Sequence, residues 1–216
     1  MFVPPVYRQQ DQQQLAAVVR QYPLAALVTN GEPTPHVTHL PVIPESEDDE
    51  PNLVGGTLLG HLNRANPHWS SLGDATPAKL VFWGPNSYVT PAVYETDPAA
   101  PTWNFVSVHV KGVLQRIEGL EETLEVVRRT ARLFESSFGA GWDAGGSLDY
   151  FRQIVPDVGA FRLEVSSIQG MFKLSQEKNP ETQRRIAERF TAAESGCTRE
   201  LGNIMHELRQ KAGHDA

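Results

Sequence analysis

The sequence contains little cysteine and no long hydrophobic run. Cys197 is the single cysteine among 216 residues, so no disulfide can form within the chain. No apolar stretch approaches the roughly 20 residues that a membrane-spanning helix requires. The N-terminal Met1-Phe2-Val3-Pro4-Pro5 has no basic region followed by an apolar core, so no signal peptide is visible. We therefore expect a cytoplasmic protein that does not bind a membrane.

Positive charge is also scarce. Lys and Arg number 19 against 26 Asp and Glu, which gives a net charge of −7. Because non-specific DNA affinity comes mostly from phosphate neutralisation by Lys and Arg, and no helix-turn-helix is recognisable, we do not expect DNA binding. No Gly-x-Gly-x-x-Gly motif predicts a nicotinamide site. One cysteine, with His61 and His68 lacking a spaced third ligand, does not make a zinc site.

What the sequence does contain is a series of short apolar runs at hairpin spacing. The patterns predict an amphipathic helix at 11–22 with Asp11 as its N-cap, a long helix at 120–138 and a helical segment at about 180–210. The predicted strands are 24–29, 36–43, 53–59, 79–83, 87–90, 102–118, 161–168 and 170–174. Asn30-Gly31 predicts a hairpin turn because both residues tolerate positive φ. Gly84-Pro85-Asn86 predicts another turn.

Many short strands with few helices between them indicate the fold class. We predict a mainly β protein with peripheral helices (α+β), in which the strands form an antiparallel barrel. No repeat and no linker divides the chain. We therefore expect a single domain over residues 1–216.

The most unusual segment is Gly60-His61-Leu62-Asn63-Arg64-Ala65-Asn66-Pro67-His68-Trp69. Two histidines, an arginine, two asparagines and a tryptophan follow directly on a predicted strand. Asn66 and Pro67 predict the start of a short helix, with Asn66 as cap and Pro67 at the first helical position. Packing alone does not require so many polar groups here. The segment is typical of the wall of a site that binds an anionic, planar cofactor, and residues 171–176 have a similar character.

Six ordered segments carry a family resemblance. They are Met1-Phe2-Val3-Pro4, Pro35-His36-Val37-Thr38-His39-Leu40-Pro41, the segment 60–67, Gly84-Pro85-Asn86-Ser87-Tyr88-Val89-Thr90-Pro91, Pro101-Thr102-Trp103-Asn104-Phe105 with Val108-His109, and Phe172-Lys173-Leu174-Ser175-Gln176. In these segments the chain resembles the PaiB-like flavin-binding split-barrel proteins along nearly its whole length. The resemblance implies an FMN-binding split β-barrel fold and a homodimer with the ligand near the subunit interface.

The family divides into branches with different functions. One branch consists of FMN-binding negative transcriptional regulators. Another resembles the piperazate synthases, which bind haem b and close N5-hydroxy-L-ornithine into L-piperazic acid by forming an N–N bond. Trp83, Lys111, Glu177 and the stretch 93–100 depart from the regulator pattern and look more like the synthase branch. The resemblance therefore implies a haem-dependent enzyme. An FMN-binding regulator, a flavin oxidoreductase and a haem carrier or haem-degrading protein remain alternatives.

Haem b needs an axial ligand, and histidine is a common one. His61 is the first candidate for this metal ligand, although it could instead cap its strand and bond to backbone. His39, His68 and His109 are the other candidates. Haem propionates or a flavin phosphate need cations and hydrogen-bond donors. The residues expected to supply them are Arg64, Asn66, Lys173, Ser175 and Gln176, with Lys173 and Ser175 on one strand face. Arg64 could alternatively form a surface ion pair.

A third set of residues is expected near the substrate. Tyr88 and Thr90 would share a strand face, and Trp103 could lie against a macrocycle, although a tryptophan in a barrel is usually part of the core. His109 suits acid or base chemistry because its ordinary pKa lies near neutrality. His109 or Tyr88 would protonate the departing oxygen while the α-amine attacks N5. His109, Tyr88 and Thr90 are therefore the predicted catalytic residues.

Overall fold

The computed structural model describes residues 1–46, 48 and 50–214. The strands are β1 (Arg8–Gln9), β2 (Leu24–Thr29), β3 (His36–Pro44), β4 (Thr57–Asn63), β5 (Thr76–Val89), β6 (Thr102–Ile117) and β7 (Val158–Lys173). The helices are α1 (Gln12–Gln21), α2 (Pro67–Ser71), α3 (Leu120–Phe138), α4 (Leu148–Ile154), α5 (Pro180–Thr191) and α6 (Gly196–His214). No helix among the described residues is long and apolar enough to cross a membrane.

The strands form one sheet that closes on itself. Its order is β1-β7-β4-β3-β2-β5-β6, and β6 also pairs with β7. Six strands, β2 to β7, therefore form a closed antiparallel barrel, which leaves no open edge among them. At the closure, the Ser166 hydroxyl donates to the Lys111 carbonyl at 3.1 Å. The predicted class, mainly β with peripheral helices, is confirmed.

The contacts within the chain define two compact units. The first consists of Met1–Gln10, Trp83–Val108 and Gln169–Ala216, and the second of Asp11–Phe82 and His109–Ile168. The strands β5, β6 and β7 contribute residues to both. The single domain over residues 1–216 stays a prediction.

The second unit contains the barrel closure and a core that follows from strand and helix periodicity. Ile43, Leu59, Ile117, Val126 and Ala160 form one buried cluster, and Phe134 of α3 packs against it. Because apolar residues recur on one side of α3, that side covers the sheet. The predicted helix at 120–138 has the bounds of α3. Asp11 caps α1 as predicted, since its Oδ1 accepts from the Gln13 amide at 2.9 Å.

The first unit combines strand ends with the two C-terminal helices. The strand β1 pairs with the end of β7, with Arg8 opposite Met171. The helix α5 is capped by Asn179, whose Oδ1 accepts from the Thr182 amide at 2.8 Å. A Cβ at Gly202 would lie 2.6 Å from the Thr191 amide nitrogen, so this glycine lets α6 approach the end of α5 closely. The segment predicted as helical at about 180–210 is thus two packed helices.

Two predicted features are wrong in the second unit. The strand predicted at 53–59 begins only at Thr57, because Gly55 adopts φ +85° and its amide bonds to the carbonyl of Val165. Because β4 pairs with β7 as far as Asn63, His61 lies inside β4 and not beyond its end. The hairpin between β2 and β3 has a six-residue loop, since Thr29 pairs with His36. Asn30 and Gly31 therefore do not form the two-residue turn, and neither has positive φ.

Two predicted strand breaks are also absent. The strand β5 continues through Gly84-Pro85-Asn86, because its pairing with β2 ends at Val81 and the amide of Asn86 bonds instead to the Cys197 sulfur at 3.2 Å. A proline is tolerated where no neighbouring strand needs its amide. The strands predicted at 161–168 and 170–174 are one strand, since Gly170 pairs with Gln9.

Gly60 is the position where β4 and β7 approach most closely. It pairs with Phe161, and a Cβ at this position would lie 2.4 Å from Phe161 Cζ. Phe161 is fully buried, so the ring has no space into which it can move. The absence of a side chain at Gly60 thus allows the strand that carries His61 to lie over this ring.

We expect Gly60→Ala to lower the free energy of unfolding by about 1–3 kcal/mol, the usual cost of overpacking a core. Urea unfolding of the purified variant measures this. Gly146→Ala is the matched control, because a Cβ there meets nothing within 4 Å. Equal unfolding midpoints for the two variants would contradict the packing argument.

Candidate functional site

The second unit contains a groove of about 540 Å³ beside the motif at 60–69. Its walls come from β3, from β4 with the residues after it, and from the segment before β7. The lining residues are Thr38, His39, Leu40, Pro41, His61, Leu62, Asn63, Asn66, Ile154, Asp157 and Val158. The groove lies within the size range of small-molecule sites in proteins.

His61 is the least satisfied polar side chain of this groove. It is half-buried on β4 opposite Ala160, and its Nδ1 is buried without a hydrogen-bond partner among the described residues. Burial lowers the pKa of His61, because a charged imidazole loses its hydration there. His61 is therefore a neutral imidazole at neutral pH, which is the form that ligates metals.

Asn66 and Arg64 lie beside this groove and already make internal contacts. The Asn66 Oδ1 accepts from the His68 amide at 2.9 Å, which caps α2, and its Nδ2 donates to Thr38 Oγ1 at 3.2 Å. The predicted cap with Pro67 at the first helical position is confirmed. The Arg64 Nε donates to the Val158 carbonyl at 2.9 Å, and its Cζ lies 5.2 Å from the Trp69 ring centroid.

Arg64 does not form the surface ion pair that was its alternative interpretation. Among the described residues no carboxylate pairs with it, and its Nε is committed to a backbone carbonyl. Its terminal nitrogens keep the capacity to bind an anion. The cofactor-binding role of Arg64 stays a prediction.

The side chain of His68 is buried, and both of its ring nitrogens form hydrogen bonds within the protein. It is 2% exposed, with Nε2 at 2.9 Å from Thr29 Oγ1 and Nδ1 at 2.9 Å from Thr38 Oγ1. His36 stacks on it with ring centroids 5.2 Å apart. Because both nitrogens of His68 are engaged, this histidine offers no lone pair to a metal. Of the other candidates for iron ligation, His39 does line the groove.

His109 on β6 is the second histidine of this unit with a ring nitrogen that lacks a hydrogen-bond partner. Its Nδ1 is buried and has no partner among the described residues. Burial, with further contributions from Lys79 and Lys111, lowers the pKa of His109 to about 4. The imidazole is therefore neutral at pH 7. The cationic form that could act as a strong acid is scarcely populated there.

In the first unit, Tyr88 and Trp103 lie beside each other. Their ring centroids are 6.1 Å apart, and the indole nitrogen of Trp103 donates to Asn86 Oδ1 at 3.2 Å. The interpretation of Trp103 as a core residue is wrong, because 49% of it is exposed. Thr90 lies beyond the end of β5, where its hydroxyl accepts from the Ala92 amide at 3.3 Å. The expected strand face shared by Tyr88 and Thr90 therefore does not exist.

Lys173, Ser175 and Gln176 do not form a row on one strand face. The strand β7 ends at Lys173, whose Nζ donates to Thr102 Oγ1 at 2.5 Å. Ser175 has φ +64° and is fully buried, and its hydroxyl donates to Asn104 Oδ1 at 3.0 Å. The Gln176 amide braces this turn by donating to Phe172 O and accepting from the Leu174 amide. Each of these side chains thus has a partner within the first unit.

Thr38 and Asp157 are two of the groove residues that the sequence did not identify. Thr38 belongs to the segment 35–41, but only the pairing of β3 within the barrel shows that it lines the groove. Asp157 carries no local signal, because the pairing of β4 with β7 brings it to the groove from far along the chain. Among the described residues, no group of three or more His, Cys, Asp or Glu side chains could hold a metal ion.

Comparisons with known proteins agree with this architecture. A family model described as "Putative FMN-binding domain" matches residues 1–167. The chain is 23% identical over 214 residues to "Protease synthase and sporulation protein PAI 2" of Bacillus subtilis, covering 98% of this chain and 99% of that protein.

Two solved structures share the fold. One is the FAD and haem binding protein from Mycobacterium smegmatis, with a TM-score of 0.58, 13% identity, and coverage of 82% of this chain and 78% of that one. The other is a flavocytochrome from Azotobacter vinelandii, with a TM-score of 0.52, 14% identity, and coverage of 77% and 69%. At these identities the likeness concerns the fold.

The low pKa of His109 predicts a loss of stability in acid. As pH falls, the unfolded chain binds a proton near the ordinary pKa of 6.5, whereas the folded chain binds it only near 4, so stability decreases across this window. We expect His109→Gln to remove part of that decrease. Urea unfolding at several pH values between 4 and 7 measures it, with His206→Gln as control. Parallel profiles for wild type and His109→Gln would contradict the assigned pKa.

Proposed function

We propose that this chain, which belongs to the FMN-binding domain family, binds haem b in the groove beside β4, where His61 would hold the iron. We further propose that the holoprotein closes N5-hydroxy-L-ornithine into L-piperazic acid. The groove supports the choice of cofactor, and the resemblance to piperazate synthases supports the choice of substrate.

The proposal depends most on the burial of His61 and on the missing hydrogen bond to its ring. A half-buried imidazole with a lowered pKa and no hydrogen-bond partner among the described residues loses hydration without compensation. An iron–nitrogen bond would provide that compensation. Haem proteins commonly use a neutral histidine in this way.

The charge of the groove favours haem over a flavin phosphate. Among the described residues that line it, Asp157 is the charged side chain, and no Lys or Arg is present. A phosphate dianion needs cations or converging amides, which this wall does not supply. Haem would need one nitrogen ligand, which His61 would supply, and Arg64 beside the groove could bind a propionate. Two proteins that share the fold, a FAD and haem binding protein from M. smegmatis and a flavocytochrome from A. vinelandii, are compatible with haem and with a flavin.

The proposed reaction needs no external oxidant. The N5–O bond breaks, a bond between N5 and the α-nitrogen forms, and one water leaves. The haem iron, when bound, supplies a Lewis acid that polarises the N–O bond. Holding both nitrogens of one substrate together makes the step intramolecular, an advantage that reaches about 7–11 kcal/mol in well-oriented systems.

The residues of this chain hold and orient the reactants. His61 fixes the cofactor at β4. His109, neutral at pH 7, can accept or donate a hydrogen bond to the hydroxylamine but does not supply a full positive charge. Tyr88 and Thr90 belong to the first unit, and their catalytic role stays a prediction.

An FMN-binding regulator or flavin oxidoreductase is the second candidate. The description of the family and the likeness to a sporulation protein of B. subtilis favour it. In this case Arg64 would supply an anion-binding contact for the flavin phosphate. The two candidates differ in the visible spectrum of the loaded protein.

We expect the purified protein to show a sharp Soret band when it is loaded with haem b. We expect it to form no tight complex with FMN. Haem bound to His61→Ala should show a shifted or absent Soret band, because the iron loses its nitrogen ligand. His206→Ala should retain the wild-type spectrum, since this histidine lies on α6. A wild-type spectrum in His61→Ala, or the two-band spectrum of a bound flavin, would overturn the cofactor assignment. The loaded protein is then incubated with N5-hydroxy-L-ornithine and assayed for the cyclic, dehydrated product.

We also propose that the chain forms a homodimer through aromatic side chains of the first unit. Trp83, Tyr88 and Trp103 are 56%, 50% and 49% exposed, and Phe105 lies 6.4 Å from the Trp83 ring centroid. Exposed aromatic clusters of this kind are typical of protein interfaces. A second copy of the chain is the occupant that the family resemblance implies.

Replacing Trp83 and Trp103 together by Ala is expected to convert a dimer into a monomer, because the aromatic contact area of the interface is lost. Light scattering coupled to size exclusion measures the mass. Trp142→Ala is the matched control, since Trp142 is equally exposed at 50% but belongs to the second unit. A monomeric wild type, or a dimeric double variant, would contradict the proposal.

A further inference from the structure

The buried ring of His68 links two strands through two hydroxyl groups. Its nitrogens lie 2.9 Å from Thr29 on β2 and 2.9 Å from Thr38 on β3. The same ring stacks on His36. Neither the proposed ligation by His61 nor the core packing requires a polar residue at this position, so this arrangement needs its own explanation.

The hydrogen bonds around His68 have a direction. The Asn66 Oδ1 accepts from the His68 amide, so the Asn66 Nδ2 is the group that donates to Thr38. Because the Thr38 oxygen accepts a hydrogen bond from Asn66, the Thr38 hydroxyl can donate its own hydrogen bond to His68 Nδ1. A neutral imidazole then carries its own proton on Nε2 and donates it to Thr29. The bonds thus run from Asn66 through Thr38 and His68 to Thr29.

Only part of this chain of hydrogen bonds reaches the groove. Thr38 and Asn66 line it, whereas His68 and Thr29 are not among its lining residues and are 2% and 3% exposed. His68 therefore acts on the groove through its neighbours. It also ties the start of α2 to β2 and β3, and so fixes the segment that follows β4.

We propose that His68 is a positioning residue of the groove. By accepting a hydrogen bond from the Thr38 hydroxyl, it fixes the orientation of Thr38 and Asn66 in the wall beside His61. A ligand of the groove then meets a preorganised wall, which lowers the cost of binding. The inference deepens the proposed function, and it rests on that proposal wherever haem is the probe.

Two isosteric variants separate positioning from simple stability. Thr29→Val removes one hydrogen bond to the His68 ring, whereas Thr38→Val removes one to that ring and the one from Asn66 Nδ2. We therefore expect both variants to lower the urea midpoint, and Thr38→Val at least as much as Thr29→Val. Haem affinity should fall by about three- to tenfold in Thr38→Val, on the scale of one hydrogen bond, and by less than about twofold in Thr29→Val. Equal losses of affinity in the two variants would overturn the proposal.

Because Thr38 itself lines the groove, a double-mutant cycle is needed to show that His68 acts through it. His68→Phe keeps a ring against His36 and removes both hydrogen bonds. We expect it to lower haem affinity about as much as Thr38→Val, and the double variant to be no worse than either one, since both break the same link. Additive losses would contradict a shared action.

A measurement without cofactor separates this inference from the proposed function. In the ligand-free protein, the side-chain amide resonances of Asn66 report its contact with Thr38. We expect them to shift and broaden in Thr38→Val and His68→Phe and to stay in place in Thr29→Val. Unchanged Asn66 resonances in His68→Phe would overturn the positioning role. A wild type that takes up no haem would instead refute the proposed function and leave this readout valid.

Discussion

The pairing of β4 with β7 is the constraint on which the candidate site depends. Gly60 lies over the buried ring of Phe161, and the next residue, His61, pairs with Ala160. This register brings the end of β4 next to the segment that precedes β7. Both Asp157 and His61 line the same groove. A side chain at Gly60 would separate the two strands, so the geometry of the groove is set by the absence of one Cβ.

Hydrogen bonding distinguishes the histidines more clearly than their positions do. His68 has both nitrogens engaged and serves structure, whereas His61 and His109 each bury an Nδ1 without a partner among the described residues. A buried polar atom without a partner costs free energy, and such sites are frequently functional. By the same criterion, Ser175 and Gln176 are weaker candidates for binding a ligand, because their side chains already form hydrogen bonds within the first unit.

The sequence predicts those elements whose signal is local. The strand β2 and the helix α3 have their predicted bounds, and the cap of α2 follows from Asn66-Pro67. The wrong predictions have distant causes: Gly55 bonds to Val165, and Asn86 bonds to Cys197. The residues of the site show the same difference between local and distant causes. His61 and Asn66 belong to one local motif, while Asp157 reaches the groove only through strand pairing. The expected face of Lys173 and Ser175 fails because the chain turns at Ser175, where φ is +64°.

The ligation of haem iron by His61 is tested most directly by chemical rescue. His61→Gly removes the imidazole and leaves space for a free one beside β4. The variant is loaded with haem, passed through a desalting column, and its spectrum is recorded before and after addition of imidazole. The account predicts an altered Soret band that returns to the wild-type position with imidazole. A variant that already has the wild-type spectrum without imidazole would contradict it.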